Sequence, residues 1–150
     1  MYSFVIKTKP KSYNSWGSAS VEKKNKYKHL IEESFKEAYP AHVLVEVDLY
    51  GLVYHFFQKD IGIDADNLSK PIWDCLRGTI FDDDKRVKMR IAGSFKLVGG
   101  DLTIFNSSGL PGEVVTSLIE SIETEEHVLY VECGKFTADM IQLNLELDGN

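Results

Sequence analysis

A chain of 150 residues, 43% hydrophobic and 11% aromatic, is long enough to bury one core and short enough that a single domain over residues 1–150 is expected. No apolar run approaches the roughly 20 residues that cross a bilayer, and Lys7, Lys9 and Lys11 are followed by neither an apolar run nor a cleavage site, so the expectation is a soluble cytoplasmic protein with no membrane partner. The net charge of −6 is unevenly spread: residues 1–40 sum to +4, residues 41–100 to −1 and residues 101–150 to −9. A basic front suits a polyanion and an acidic extension from about 106–150 suits solubility or a basic partner, because partners meet local fields and not totals.

Met1–Ile6 reads as a short edge strand, and Lys9–Gly17 as a loop of turn formers that interleaves lysine with Tyr13 and Trp16. From Ser20 as N-cap, Tyr27, Leu30, Ile31, Phe35 and Ala38 recur at helical spacing until Pro40. Lys23, Lys24, Lys26 and Lys28 crowd the first half of that helix. They fit a phosphate backbone or simply a solvated face. Val43, Val45, Val47 and Leu49 alternate, and the phase resumes at Leu52, Tyr54 and Phe56, which predicts one long strand with a β-bulge at Gly51.

Beyond a loop through Gln58–Gly62, Leu68, Ile72, Trp73 and Leu76 fall on one helical face, with the start near Asp66–Leu68 and Gly78 as the break. Lys70 then projects from the first turn. Asp84 opens a strand in which Val87, Met89 and Ile91 face one way and Arg86, Lys88 and Arg90 the other. Gly99-Gly100 predicts a hairpin turn to Leu102–Phe105, Val114–Ile122 a further amphipathic helix, and His127–Cys133 and Met140–Leu147 two more strands. Cys75 and Cys133 read as buried apolar residues, and His29, His42, His55 and His127 as scattered packing or surface residues.

The chemistry concentrates in Asp64-Ala-Asp-Asn-Leu-Ser-Lys70 and Asp82-Asp-Asp-Lys-Arg-Val87. Mg²⁺ is a hard cation that takes oxygen ligands, so Asp64, Asp66 and Asp84 form a plausible ligand set for phosphodiester hydrolysis, with Mn²⁺ as a substitute. Lys70, a compact point charge, can orient a phosphate, stabilise developing charge or position the attacking water. The plainer reading makes Asp66–Lys70 and Lys70–Asp74 surface i,i+4 pairs and Asp66 a helix cap. A calcium loop fits poorly, because Asp60, Asp64 and Asp66 lack the required glycine and terminal glutamate spacing.

Asp64-x-Asp-Asn-Leu-x-Lys70, then Asp74-x-Leu76, Gly78 and Asp83-Asp84-x-x-Val87, resemble the signature of RusA-type Holliday junction resolvases. Pro10-Lys-Ser-Tyr-Asn-Ser-Trp16 is similar to that family's Pro-x-Ser-x-Asn segment, and the likeness spans roughly residues 4–105. The resemblance implies an α+β fold with a mixed sheet and a homodimeric, Mg²⁺-dependent endodeoxyribonuclease that cuts branched DNA in recombination and repair. Asp64, Asp66 and Asp84 would be the metal triad, Lys70 the catalytic lysine and Asp83 a second candidate ligand. DNA would be held by Lys9, Lys11, Lys23, Lys24, Lys59, Arg86, Lys88 and Arg90. Two departures stand out: Lys59 is alone where the family is often arginine-rich, and the last forty or so residues match no part of its core. The rival expectation is a non-catalytic DNA-binding or protein-interaction module on the same fold.

Overall fold

The computed structural model describes residues 1–97 and 106–145. Its strands β1 (Tyr2–Ile6), β2 (Leu49–Phe57), β3 (Val87–Lys96) and β4 (His127–Lys135) form one sheet in the order β1-β4-β2-β3. β4 is antiparallel to both β1 and β2, whereas β2 and β3 are parallel. Helices α1 (Tyr13–Ser18), α2 (Val21–Ala38), α3 (Ala65–Leu76) and α4 (Gly112–Thr124) complete an α+β domain with a mixed sheet. Parallel neighbours need a crossover, and α3 lies on the connection between β2 and β3.

Both faces of the sheet are covered. Tyr27, Ile31 and Phe35 of α2 and Leu68, Ile72, Trp73 and Leu76 of α3 pack with Phe4, Ile6, Leu49, Val53, Leu129 and Val131. On the other face Leu118 and Ile122 of α4 pack with Phe56, Val128 and Tyr130, against Leu52 and Tyr54. Alternate residues of β2 therefore serve two cores. That arrangement replaces the expected bulge at Gly51, since Leu49 and Leu52 belong to opposite faces and no phase slip occurs. The glycine serves close packing instead: a Cβ there would stand 2.8 Å from Cε2 of the fully buried Trp73.

Ser20 caps α2 as the sequence predicts, accepting the Lys23 N–H at 3.2 Å. The segment expected as a loop contains α1, because Ser12 accepts the Ser15 N–H at 3.1 Å and Trp16 packs on Tyr27. The long strand begins only at Leu49. β4 ends opposite it, at Lys135, so among the described residues the segment 43–48 has no neighbouring strand beyond a single bridge from Val45 to Phe81, and Val43 and Val47 are exposed.

α3 starts earlier than expected, with Asp64 as N-cap, which puts Lys70 in its second turn and Pro71 inside the helix. The expected strand at Met140–Leu147 is absent over residues 140–145: a short 3-10 helix, Ala138–Met140, is followed by irregular chain with Leu143 and Leu145 exposed. Residues 146–147, the Gly99-Gly100 turn and Leu102–Phe105 lie outside the described residues. Cys75 and Cys133 are buried free thiols, and burial pushes each up to about 12. Among the described residues no helix is long and apolar enough to cross a membrane.

Candidate active site

The chain leaves β2 through a turn in which Asp60 accepts the Gly62 N–H at 2.8 Å, with Gly62 at φ 71°. That left-handed position suits glycine and redirects the chain into Asp64. Asp64 caps α3 by backbone geometry alone. Its side chain makes no capping bond, and its carboxylate stands exposed, as does that of Asp66 in the first turn. Two anionic groups at a helix N-terminus are favourably placed against the helix dipole.

Buried apolar residues hold one face of α3 against the sheet, so Asp66, Lys70 and Asp74, at i+4 spacing, share a stripe on the other side. Lys70 chooses between its two helical neighbours. Its Nζ donates to Asp74 Oδ1 at 2.8 Å and to Asp84 Oδ2 at 3.1 Å, and no ion pair with Asp66 forms. The hydrogen bond to Asp74, reinforced by Asp84, raises the ammonium's pKa against the opposing effect of partial burial.

Asp84 reaches the site from a different part of the chain. It opens a short 3-10 helix, Asp84–Arg86, which displaces the expected strand start to Val87 and is capped by the Asp83 side chain accepting the Lys85 N–H at 2.9 Å. The Lys70 ammonium holds the Asp84 carboxyl below the usual carboxylate range. Arg90 adds to this, its Nη2 lying 3.7 Å from Asp84 Oδ2 and donating to the Asp84 carbonyl at 3.3 Å.

The position of Arg90 depends on a β-bulge that the sequence does not announce. Leu49 pairs with Val87 and Tyr50 with Met89, so Lys88 is the extra residue and the register beyond it shifts by one. Arg90 consequently lies opposite Gly51, on the Val87 side, while Met89 and Ile91 lie opposite Tyr50 and Leu52. The expected common face of Arg86, Lys88 and Arg90 is thereby broken up. Arg86 is engaged by the Asp82 carboxylate and donates to the Glu46 carbonyl at 2.6 Å. Lys88 is exposed on the bulge, and Lys59 is exposed in the loop before α3.

Of the expected site residues the fold thus brings Lys70 and Asp84 together, and it adds Asp74 and Arg90 to them. Asp74 is traceable in the sequence through its i+4 spacing from Lys70; Arg90 shares the strand parity of Asp84 in the sequence, but the bulge that brings it there from the Val87 side is not legible. Lys9 and Lys11 lie on the loop after β1, and Lys23 and Lys24 in the first turn of α2.

The donor chemistry fits a divalent cation, since Asp64 and Asp66 offer exposed carboxylates with no hydrogen bond or ion pair among the described residues. The cage is not preassembled. Among the described residues no three His, Cys, Asp or Glu side chains are grouped closely enough to hold an ion, and one oxygen of Asp84 is already committed to Lys70.

A family model described as endodeoxyribonuclease RusA matches residues 5–104. No curated protein matches the chain. The matched stretch contains α3, the 3-10 helix and β3, hence every residue of the site, and stops short of α4 and β4.

Proposed function

The chain belongs to the RusA endodeoxyribonuclease family, and from that premise we propose that it hydrolyses phosphodiester bonds in branched DNA, Holliday junctions among them, as a homodimer. The observation that carries the reading is the Lys70 ammonium held between Asp74 and Asp84, on the helix whose N-terminal end carries the exposed carboxylates of Asp64 and Asp66.

In this reading Asp64, Asp66 and Asp84 would hold Mg²⁺, with Mn²⁺ as a substitute. When bound, the metal supplies Lewis-acid polarisation of the phosphate and a more acidic attacking water. Lys70 stays protonated at neutral pH because its two carboxylate neighbours stabilise the cation. It therefore acts as a fixed positive charge, orienting a phosphate oxygen and offsetting the charge that accumulates in the transition state. A general-base role does not fit an amine whose pKa is raised. Asp74 positions Lys70 without contacting substrate, and Arg90 fixes Asp84. A homodimer accounts for paired nicks, since two-fold symmetry presents equivalent sites to equivalent strands.

A binding module without cleavage is the second reading, and the observation favouring it is the absence of a preassembled three-carboxylate group among the described residues. Cleavage of a labelled four-way junction, beside linear duplex and flap controls, separates the two. Paired symmetric cuts that need Mg²⁺, stop with chelator and vanish in Asp66→Asn are the expected outcome. Folded protein that binds the junction but makes no metal-dependent cut on any branch rejects the nuclease reading.

A further inference from the structure

The lysines of the first forty residues are not equivalent once folded. Lys28 and Lys36 flank Glu32 on the exposed side of α2, at 3.6 and 3.9 Å. Lys9, Lys11, Lys23 and Lys26 instead line a single open groove of about 450 Å³, between the loop that follows β1 and the first half of α2. None of these four has a carboxylate partner among the described residues.

The wall of the groove is built for cations. Tyr27 is buried to 4% exposure and its hydroxyl accepts the Lys11 N–H at 3.3 Å, which fixes the loop against the helix. The Lys11 ammonium lies 5.7 Å from the centre of the Tyr27 ring, and the Lys24 ammonium, just outside, 5.8 Å from the Trp16 ring. Two of the four lysines sit on the N-terminal half of α2, where the helix dipole is already positive and Glu22 is the one acid of the first turn. Like charges gathered at the unfavourable end of a helix raise the free energy of the unliganded protein. An anion in the groove relieves that repulsion.

We propose that this groove holds the phosphate backbone of one DNA arm, as a positioning surface that shares no residue with the Lys70 site. The inference rests on the nuclease reading for the identity of the polyanion. Lysines offer mobile point charges and not the planar fork that reads a base edge, so the groove adds affinity and orientation without sequence preference. Its volume and its four separate charges suit successive phosphates along a strand better than a single one.

The test uses the full chain with chelator present, so that cleavage does not intervene, and follows fluorescence anisotropy of a labelled four-way junction and a labelled duplex across about 50–200 mM salt. Replacing two groove lysines, Lys23→Gln with Lys26→Gln, is expected to reduce the log–log salt slope by about 2, at about 0.9 per lost phosphate contact, and to weaken binding about tenfold on both DNAs. Lys28→Gln with Lys36→Gln removes the same charge outside the groove and is expected to stay within about twofold of the parent protein. Lys23→Arg with Lys26→Arg should keep the slope, and thermal unfolding of each variant reports on folding.

Equal losses in both glutamine pairs, or no loss in the groove pair, overturns the proposal. So does poly-glutamate that competes as well as DNA of equal charge, which assigns the groove to an acidic protein segment. Groove-dependent affinity in a protein that cuts no DNA keeps the groove and rejects the nuclease reading. Cutting with groove-independent affinity does the reverse.

Discussion

Lys70→Met separates a catalytic role from a structural one, because the two make different demands on stability. The Lys70 side chain is 36% exposed and its partners Asp74 and Asp84 are 31% and 27% exposed. Pairs that wet contribute about 0.2–1 kcal/mol each, and methionine keeps the apolar stem, so the variant should lose no more than about 2 kcal/mol of unfolding free energy. In the proposed catalytic role, removing this fixed charge should slow the chemical step by about 10²–10³-fold, or about 3–4 kcal/mol of barrier. The stability change is read by urea unfolding followed through Trp16 and Trp73 fluorescence, and the chemistry by single-turnover cleavage of branched DNA at saturating Mg²⁺.

A second signature lies in pH. Asp84 has a depressed carboxyl pKa when folded, so its stabilising effect is present above the unfolded value and is lost as pH falls through the folded one. The stability gap between parent and Lys70→Met must therefore narrow in acid. Cleavage within about threefold of the parent, or a loss of activity that tracks unfolding, refutes the assignment of Lys70.

Two further predictions concern the scaffold. Gly51→Ala places a methyl group against the buried Trp73 indole and should cost about 1–3 kcal/mol by urea unfolding, with Trp73→Phe in the same chain restoring part of it. A change below about 0.5 kcal/mol would show that α3 is not seated by this contact. His55 is buried with its Nε2 3.1 Å from His127 Nδ1, and burial, with His127 beside it, lowers its pKa to about 4, although Asp60 opposes the shift. A depressed histidine pKa means that the unfolded chain binds the extra proton, so stability is full above about 6.5 and falls as pH drops toward 4. Between pH 7.5 and 5 this group should cost about 2 kcal/mol, measured by urea unfolding, and His55→Phe should abolish that part of the slope; an unchanged slope in the variant would assign it elsewhere.

Where one face of a segment is buried and the other wet, its residues carry the element in full. That is why α2, with Tyr27, Ile31 and Phe35 inward and Ser20 at its cap, and α4 are legible before folding. β2 misleads because it is covered on both sides, and a run buried twice has no single phase to read. At the site, helical periodicity places Asp66, Lys70 and Asp74 on one stripe but does not say which carboxylate the lysine takes. The choice of Asp74 follows once Asp84 approaches from the start of β3, and the bulge at Lys88 then delivers Arg90 to the same carboxylate.

The sequence by itself determines which residues are chemically equipped: the acidic pair at the head of α3, the lysine that follows it on the helix, the later aspartate and the basic front of the chain. Tertiary structure alone decides their company. β4 comes from the acidic C-terminal part of the chain, yet it lies between β1 and β2 and makes the sheet continuous. Periodicity records what each segment must bury, whereas a neighbour across the sheet is set by the total packing of all segments at once, which no local window contains.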